Sequence, residues 1–434
     1  MSNDASLPED EQGLTSLASQ LVQHLSEQKF AEIVAHFDAT MTASLPVEHL
    51  ARVWEGLIGQ VGSLKRVGAA RVTVRGAYRA VLLTCAFEQA SLDVKVAFDQ
   101  AGQVAGLYFT PTEPPTLAWE APAYADLSTL TEREVVVNAG QWPLPGTLTL
   151  PGGPGPFPAM VLIHGSGPQD RDATVGPNRP FKDLALGLAT KGVAVLRFEK
   201  RTRAYGDRLD VQQFRMDQES IEDALAAVAL LSREGAVDPA QIFVGGHSLG
   251  GTFAPRIGSE APHLAGIAIL AGATRPIVEM MREQIAYLAS AEGKAPDQVN
   301  AQLDGLKSAG ERIRALQGGA APGPGEVILG AGAAYWRDVG AYDALATVKT
   351  LKMRIYVAQG QRDYQVTEVD YRAWEEALAG RKDVTLKLYP ELNHLLMQGA
   401  GKSTPSEYQR PGHVDERLVD DLAGWMKGAS GTPP

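Results

Sequence analysis

Gly246-His247-Ser248-Leu249-Gly250 places a serine between two glycines directly after the apolar run Ile242-Phe243-Val244. A hydroxyl in this G-x-S-x-G setting can be held on a tight strand-to-helix turn, with glycine wherever a Cβ would strike neighbouring backbone. Serine is a poor nucleophile at its ordinary pKa, so it needs a base to take its proton and an acid to orient that base. Both follow in the order acid, then histidine. Asp363 lies in the loop Gln359 to Val366, after the predicted buried strand Arg354 to Ala358. His394 ends the loop Pro390 to His394, after the alternating strand Val384 to Tyr389. Upstream, the apolar strand Ala159 to Ile163 runs into His164-Gly165-Ser166-Gly167, a loop whose backbone N–H groups can meet developing negative charge.

The chemistry these residues suit is attack on a carbonyl carbon. Ser248 would attack, His394 would take and return the proton, and Asp363 would fix the imidazole tautomer. The N–H groups of Leu249 and Ser166 would stabilise the tetrahedral oxyanion. His164 is read as shaping the oxyanion loop, and His247 as packing beside the nucleophile or touching the pocket. His413 rivals His394, and Asp338 and Asp343 rival Asp363, but Asp343 precedes the penultimate strand whereas the acid is needed after it. Lys200, Arg201 and Arg203 follow a strand end and could meet an acidic substrate; a solvated or salt-bridged cluster is the plainer reading.

From roughly residue 130 onward the chain resembles an α/β-hydrolase of the dienelactone-hydrolase and prolyl-oligopeptidase-like branch. Within it, the similarity is to bacterial carboxylesterases with a small extra N-terminal domain. The resemblance rests on residues 164–172 and 197–202, Gly246 to Gly251, Tyr335-Trp336, Gln359 to Val366 and Leu392 to Leu395. The tail segments Gly401 to Pro405 and Pro411 to Asp415 also match. It implies cofactor-free hydrolysis of short-acyl carboxylic esters. The triad also serves amides and thioesters, so a peptidase or aminopeptidase and a thioesterase or acyltransferase are the enzymatic alternatives; a catalytically silent binding module is the non-enzymatic one.

The elements that must position these groups alternate strand and helix, which predicts a mostly parallel sheet with helices on both faces. One helix carries Ile221, Ala224, Leu225, Val228 and Leu231 on one side, with Asp217 as its expected N-cap. The stretch from Leu270 to Arg354 exceeds an ordinary crossover and predicts a helical cap over about 275–345. Tyr335 and Trp336, at the cap's return, are its candidate substrate contacts. Ahead of the hydrolase unit (129–430), residues 12–110 read as helices followed by four antiparallel strands, a small α+β domain of cystatin-like or cone shape. A disordered tail (1–11) and a proline-rich linker (111–128) complete the expected organisation.

A formal net charge of -11 argues against nucleic acid, and the chain has no block of Lys and Arg to offset it. No apolar run approaches the length of a membrane span, and the polar, acidic start does not read as a secretory signal, so a cytoplasmic protein is expected. Cys85, the sole cysteine, sits in an apolar strand and is read as buried and inert. Without H-E-x-x-H, paired cysteine ligands or a phosphate-binding lysine loop, neither metal nor nucleotide is expected. A small-molecule ester is the expected partner, and a homodimer through the N-terminal sheet is a further option.

Overall fold

The computed structural model describes residues 11–75, 78–88, 90–112, 119–293, 295 and 297–428. The chain divides into two units, Met1–Thr116 and Leu117–Pro434. The predicted tail 1–11 lies outside the described residues except for Glu11, which opens the first helix.

The first unit holds helices α1 (Glu11–Ser26), α2 (Phe30–Val34), α3 (Ala39–Ser44) and α4 (Val47–Val61). They are followed by an antiparallel meander of β1 (Leu64–Arg75), β2 (Tyr78–Phe87), β3 (Ser91–Phe98) and β4 (Val104–Pro111). Leu14, Leu17, Leu21 and Leu25 recur at helical spacing on α1 and pack on the inward residues Val81, Leu83, Cys85, Val94 and Val96. The sequence pattern predicts this first strand only over Arg71 to Val74, whereas β1 begins at Leu64. Register shifts between Leu64 and Arg66 and between Val67 and Ala70 break the period of two that would have marked it. Burial pushes the Cys85 thiol up to about 11, which keeps it protonated.

The second unit opens with β5 (Leu130–Ala139), β6 (Trp142–Pro151) and β7 (Phe157–Ile163), then α5 (Pro180–Thr190), β8 (Ala194–Phe198), α6 (Arg201–Tyr205) and α7 (Glu222–Leu231). There follow β9 (Val237–His247), α8 (Leu249–Glu260) and β10 (Gly266–Leu270). Next come α9 (Ile277–Ala291), α10 (Asp297–Gln317), β11 (Val327–Ile328), β12 (Ala331–Gly332) and α11 (Ala333–Ala341). The unit closes with α12 (Ala344–Thr350), β13 (Arg354–Gly360), α13 (Glu368–Ala377), β14 (Val384–Tyr389) and α14 (Glu416–Met426).

Its sheet has eight strands in the order β14-β13-β10-β9-β7-β8-β6-β5. All neighbours from β14 to β8 pair in parallel, and β6 and β5 add an antiparallel edge. The chain travels outward from β7 to β8 and then returns to place β9 on the other side of β7. Loops leaving the carboxyl ends of β7 and β9 therefore diverge at a crevice, the usual place for a ligand in an open α/β sheet. Apolar side chains fill both faces: Val161, Val244, Ile267 and Ile355 belong to one core, and Met160, Phe243, Ala268 and Tyr356 to the other. Such strands read as continuous apolar runs because neither face meets water.

Two expectations need correction. Asp217 does not cap the helix before β9. It begins a π-helical turn, Asp217–Ile221, and its carboxylate faces Arg215 and Arg256. The second half of the predicted linker is not free chain. Trp119 Nε1 donates to Asp183 Oδ1 at 3.0 Å and the Tyr124 hydroxyl to the Val414 carbonyl at 2.8 Å, so this segment is docked on the hydrolase unit.

Trp374, 1% exposed on α13, packs in the core and donates its indole N–H to the Gly272 carbonyl, just beyond β10. Trp374→Ala should lower unfolding free energy by about 3–5 kcal/mol in urea titrations; a loss under 1 kcal/mol would show that α13 is not anchored there.

Candidate active site

Ser248 stands between β9 and α8 with φ +55° and ψ −119°, a backbone state that L-residues rarely adopt. Such a conformation costs about 1–3 kcal/mol and persists only where its surroundings enforce it. Here they do. The Ser248 N–H donates to the Leu270 carbonyl at 2.9 Å, and the Thr252 N–H donates to the Ser248 carbonyl at 3.0 Å. A Cβ on Gly246 would lie 2.0 Å from the Gly250 oxygen, and one on Gly250 would lie 2.3 Å from the Ile163 oxygen. The pentapeptide therefore needs both glycines for the turn to close. Leu249 is the first residue of α8, where an N–H has no acceptor within the helix.

The partners converge from the far side of the sheet. His394 Nε2 is 3.2 Å from Ser248 Oγ, and Nδ1 is 2.7 Å from Asp363 Oδ2. Both Asp363 and His394 are buried, while Ser248 is partly open. Asp363 follows β13 and His394 follows β14, so parallel pairing of those strands brings both loops to one edge. The Asp363 carboxylate is held independently of the histidine. Its Oδ1 accepts from the N–H groups of Gln365 at 2.8 Å and Val366 at 3.0 Å, and its Oδ2 accepts from Gln359 Nε2 at 3.2 Å.

Sequence reasoning gave no role to Gln359 or Asn393 and read Lys200 only as a member of a charged cluster. Gln359, buried at the end of β13, binds the Gly360 and Val366 carbonyls as well as Asp363. Asn393 accepts the N–H groups of Leu395 and Met397 on one oxygen and donates to Glu407, which ties down the histidine loop. Lys200 donates to the Gly165 carbonyl at 2.7 Å and to Glu219 Oε1 at 2.6 Å. The only sequence cue for the first two was their place beside Asp363 and His394; Lys200 was marked only as one of a charged cluster after a strand end, and Glu219 carried no cue.

The other sequence candidates lie apart from the relay. His413 Nδ1 meets Asp183 at 3.2 Å, and Asp343 caps α12 by accepting the Ala346 N–H at 2.8 Å. Asp338 sits on α11. Of the cluster after β8, Lys200 and Arg201 follow the salt-bridged reading: Arg201 is buried against Asp223 and Lys200 against Glu219. Trp336 lies in the small core of the cap and donates its indole N–H to Ile328, whereas the Tyr335 hydroxyl donates to Glu219 Oε2 at 2.6 Å. Ser166 is exposed on its loop, with its carbonyl accepting from Gln169 Nε2.

His247 and His164 are both buried and both spend a ring N–H on a carbonyl. His247 Nε2 donates to the His394 oxygen at 2.8 Å, steadying the backbone of that histidine, and His164 Nε2 donates to the Asp170 oxygen at 2.9 Å. Burial, reinforced by the charge of His394, pushes His247 down to about 4; burial, reinforced by Lys200, pushes His164 down to about 3. Unfolded, each would bind a proton near the ordinary histidine value of about 6.5. The unfolded state therefore holds more protons as pH falls from about 6.5 toward 4, and stability drops through that window. Each histidine adds at most about 1.4 kcal/mol per pH unit to the slope. In urea titrations between pH 7.5 and 4.5, His247→Gln, which keeps a donor at the Nε2 position, should show a shallower loss than the parent by about one proton. Equal slopes would show that His247 is not held neutral.

A family model described as serine aminopeptidase, S33, matches residues 178–401, and one described as a protein of unknown function (DUF3887) matches residues 18–107. Esterase EstD of Thermotoga maritima is 38% identical over 408 residues, covering 93% of each chain. Among solved structures, Est1E from Butyrivibrio proteoclasticus aligns at 16% identity over 68% of this chain and 98% of its own, with a TM-score of 0.44. A puromycin-hydrolyzing peptidase of Mycobacterium tuberculosis aligns at 18% identity over 86% of this chain and 48% of its own, with a TM-score of 0.42. With one family model spanning half the sequence and a relative spanning nearly all of it, this chain belongs to the serine aminopeptidase S33 family of α/β-hydrolases.

Proposed function

We propose that this protein is a serine carboxylesterase that hydrolyses short-chain carboxylic esters through an acyl-enzyme. His394 takes the Ser248 proton as Oγ attacks the ester carbonyl, and returns it to the departing alcohol. Asp363 keeps the Nδ1 proton in place and stabilises the imidazolium. The N–H groups of Leu249 and Ser166 receive the oxyanion, the first aided by the positive end of α8. Water, activated by the same histidine, then cleaves the acyl-enzyme and frees the acid. The observation that carries this reading is the unbroken relay from Asp363 Oδ2 to His394 and from His394 Nε2 to Ser248 Oγ, at 2.7 and 3.2 Å.

The name of the Thermotoga relative supports an ester as substrate, and the description of the family model keeps the amide reading in view. The cap favours small substrates over folded protein. Its helices α9, α10 and α11 share a core of their own around Val278, Leu306, Leu316 and Trp336, so they form a persistent structure rather than a loose loop.

Ser248→Ala should cut turnover of p-nitrophenyl acetate by a factor on the order of 10⁶ and abolish labelling by a fluorophosphonate probe, with the fold retained. Asp363→Asn should lose about 10⁴-fold, because the amide would favour the wrong imidazole tautomer. Near-parental activity in either variant would remove that residue from its role. A panel that includes p-nitrophenyl acetate, a matched aminoacyl amide and a folded protein decides the substrate class; faster cleavage of the amide or the protein than of the ester would overturn the esterase reading.

A further inference from the structure

We infer that Lys200 is a positioning residue for the oxyanion hole: its ammonium grips the Gly165 carbonyl and thereby aims the Ser166 N–H at the reacting oxygen, while Glu219 connects this grip to Tyr335 of the cap. The inference rests on the proposed roles of Ser248 as nucleophile and Ser166 as oxyanion donor.

The peptide linking Gly165 to Ser166 is planar and trans, so its C=O and N–H point in opposite directions. Lys200 Nζ lies 2.7 Å from the Gly165 oxygen. The Ser166 N–H must therefore face away from the lysine. Gly165 itself abuts the nucleophile, since a Cβ built on it would stand 3.1 Å from Ser248 Cβ and 3.5 Å from Oγ. The loop is braced on its far side as well, where the Lys200 N–H donates to the Gln169 carbonyl at 3.2 Å and Gln169 Nε2 donates to the Ser166 carbonyl at 3.1 Å. A cation on the carbonyl also polarises the peptide, which makes the opposite N–H a stronger donor.

The ammonium is held as firmly as the peptide it holds. Lys200 is 2% exposed and Glu219 7% exposed, and their polar atoms are 2.6 Å apart. The π-helical turn Asp217–Ile221 carries Glu219, whose second oxygen accepts the Tyr335 hydroxyl at 2.6 Å. An ion pair this deeply buried gains little over apolar packing of the same volume, so stability alone does not account for it. Tyr335 packs on both the main core and the core of the cap. Cap, carboxylate, ammonium and oxyanion loop thus form one chain of hydrogen bonds.

The test compares the full-length parent with Lys200→Met, Lys200→Arg and the double variant Lys200→Met/Glu219→Gln, which leaves no stranded charge should the single change fail to fold. With p-nitrophenyl acetate, kcat should fall about 100-fold or more in either methionine variant, the effect of losing one oxyanion donor. KM should move less than about threefold, because the donor acts on the transition state rather than the bound ester. Affinity for a trifluoromethyl ketone, which adds to the serine as a tetrahedral oxyanion, should fall in parallel with kcat. Lys200→Arg, which keeps a cationic donor, should recover at least about tenfold of the loss. A folded methionine variant with parental kcat, a loss confined to KM, or unchanged ketone affinity would overturn the inference. Ser248→Ala, assayed alongside, separates the two failures: activity surviving there removes the nucleophile reading, whereas an inactive Ser248→Ala beside a fully active Lys200→Met removes only the role of Lys200.

Discussion

The site depends on one backbone constraint, the turn that holds Ser248 at φ +55°. Serine gains nothing by itself from that conformation, and the chain reaches it only because the flanking positions lack side chains. Gly246 and Gly250 let the strand end and the helix start pass within contact distance of each other and of the Ile163 carbonyl on β7. The strain is balanced by the pairing of β9 with β7 on one side and β10 on the other, which fixes the strand that enters the turn. A hydroxyl on a softer loop would sample many directions; this one is confined to the mouth of the crevice, where a histidine from another strand can meet it. The strained residue and its position at the reversal of strand order have the same origin, since the crevice exists where β7 and β9 are neighbours.

Around the serine, Asp363 and His394 are each fixed by polar contacts outside the relay itself. Backbone amides and Gln359 secure Asp363, Asn393 secures the loop of His394, and His247 secures the carbonyl of His394 itself. The two buried histidines act as neutral donors. His247 sits with its ring 4.8 Å from that of His394, where a second positive charge would oppose formation of the imidazolium, and its depressed pKa removes that conflict. Neighbouring residues of the same type thus take different parts because one ring nitrogen is committed to a carbonyl and the other ring bridges a carboxylate and a hydroxyl.

The relay was legible in the sequence because each member sits just beyond an apolar or alternating strand, where local pattern and role coincide. The sheet was legible for a similar reason: strands buried on both faces leave continuous apolar runs such as Ala159 to Ile163. What stayed hidden depended on the assembled fold. Nothing local distinguishes Lys200 from its neighbour Arg203, and only the position of the Gly165 carbonyl gives it a task. Glu219 was invisible because a π-helical turn shifts it off the ordinary helical period, and the same turn misled the capping assignment of Asp217. The segment from Trp119 to Asp126 read as linker on its proline content, yet its two aromatic residues find partners on α5 and before α14 that no sequence window contains. In β1, bulges removed the alternation that identifies a strand.

The cap bears on both halves of the site by different physical means. At the acid side, Tyr287 of α9 stacks on Tyr364 at 5.3 Å, and Tyr364 lies against Tyr408, so aromatic faces join the cap to the residue next to Asp363. Directional bonds accompany the stacking: Gln284 Nε2 donates to the Gln365 carbonyl at 3.0 Å, and the Tyr287 hydroxyl donates to the Ser403 carbonyl at 3.0 Å. At the Gly165 loop, the link from Tyr335 through Glu219 to Lys200 is made of short hydrogen bonds that weaken steeply when distorted. The cap is therefore tied down on both sides of the Ser248 turn, through α9 on one side and through Tyr335 on the other. The Gly165 carbonyl stands at the end of the second connection, so the loop that abuts Ser248 is linked to the cap through two buried charged side chains.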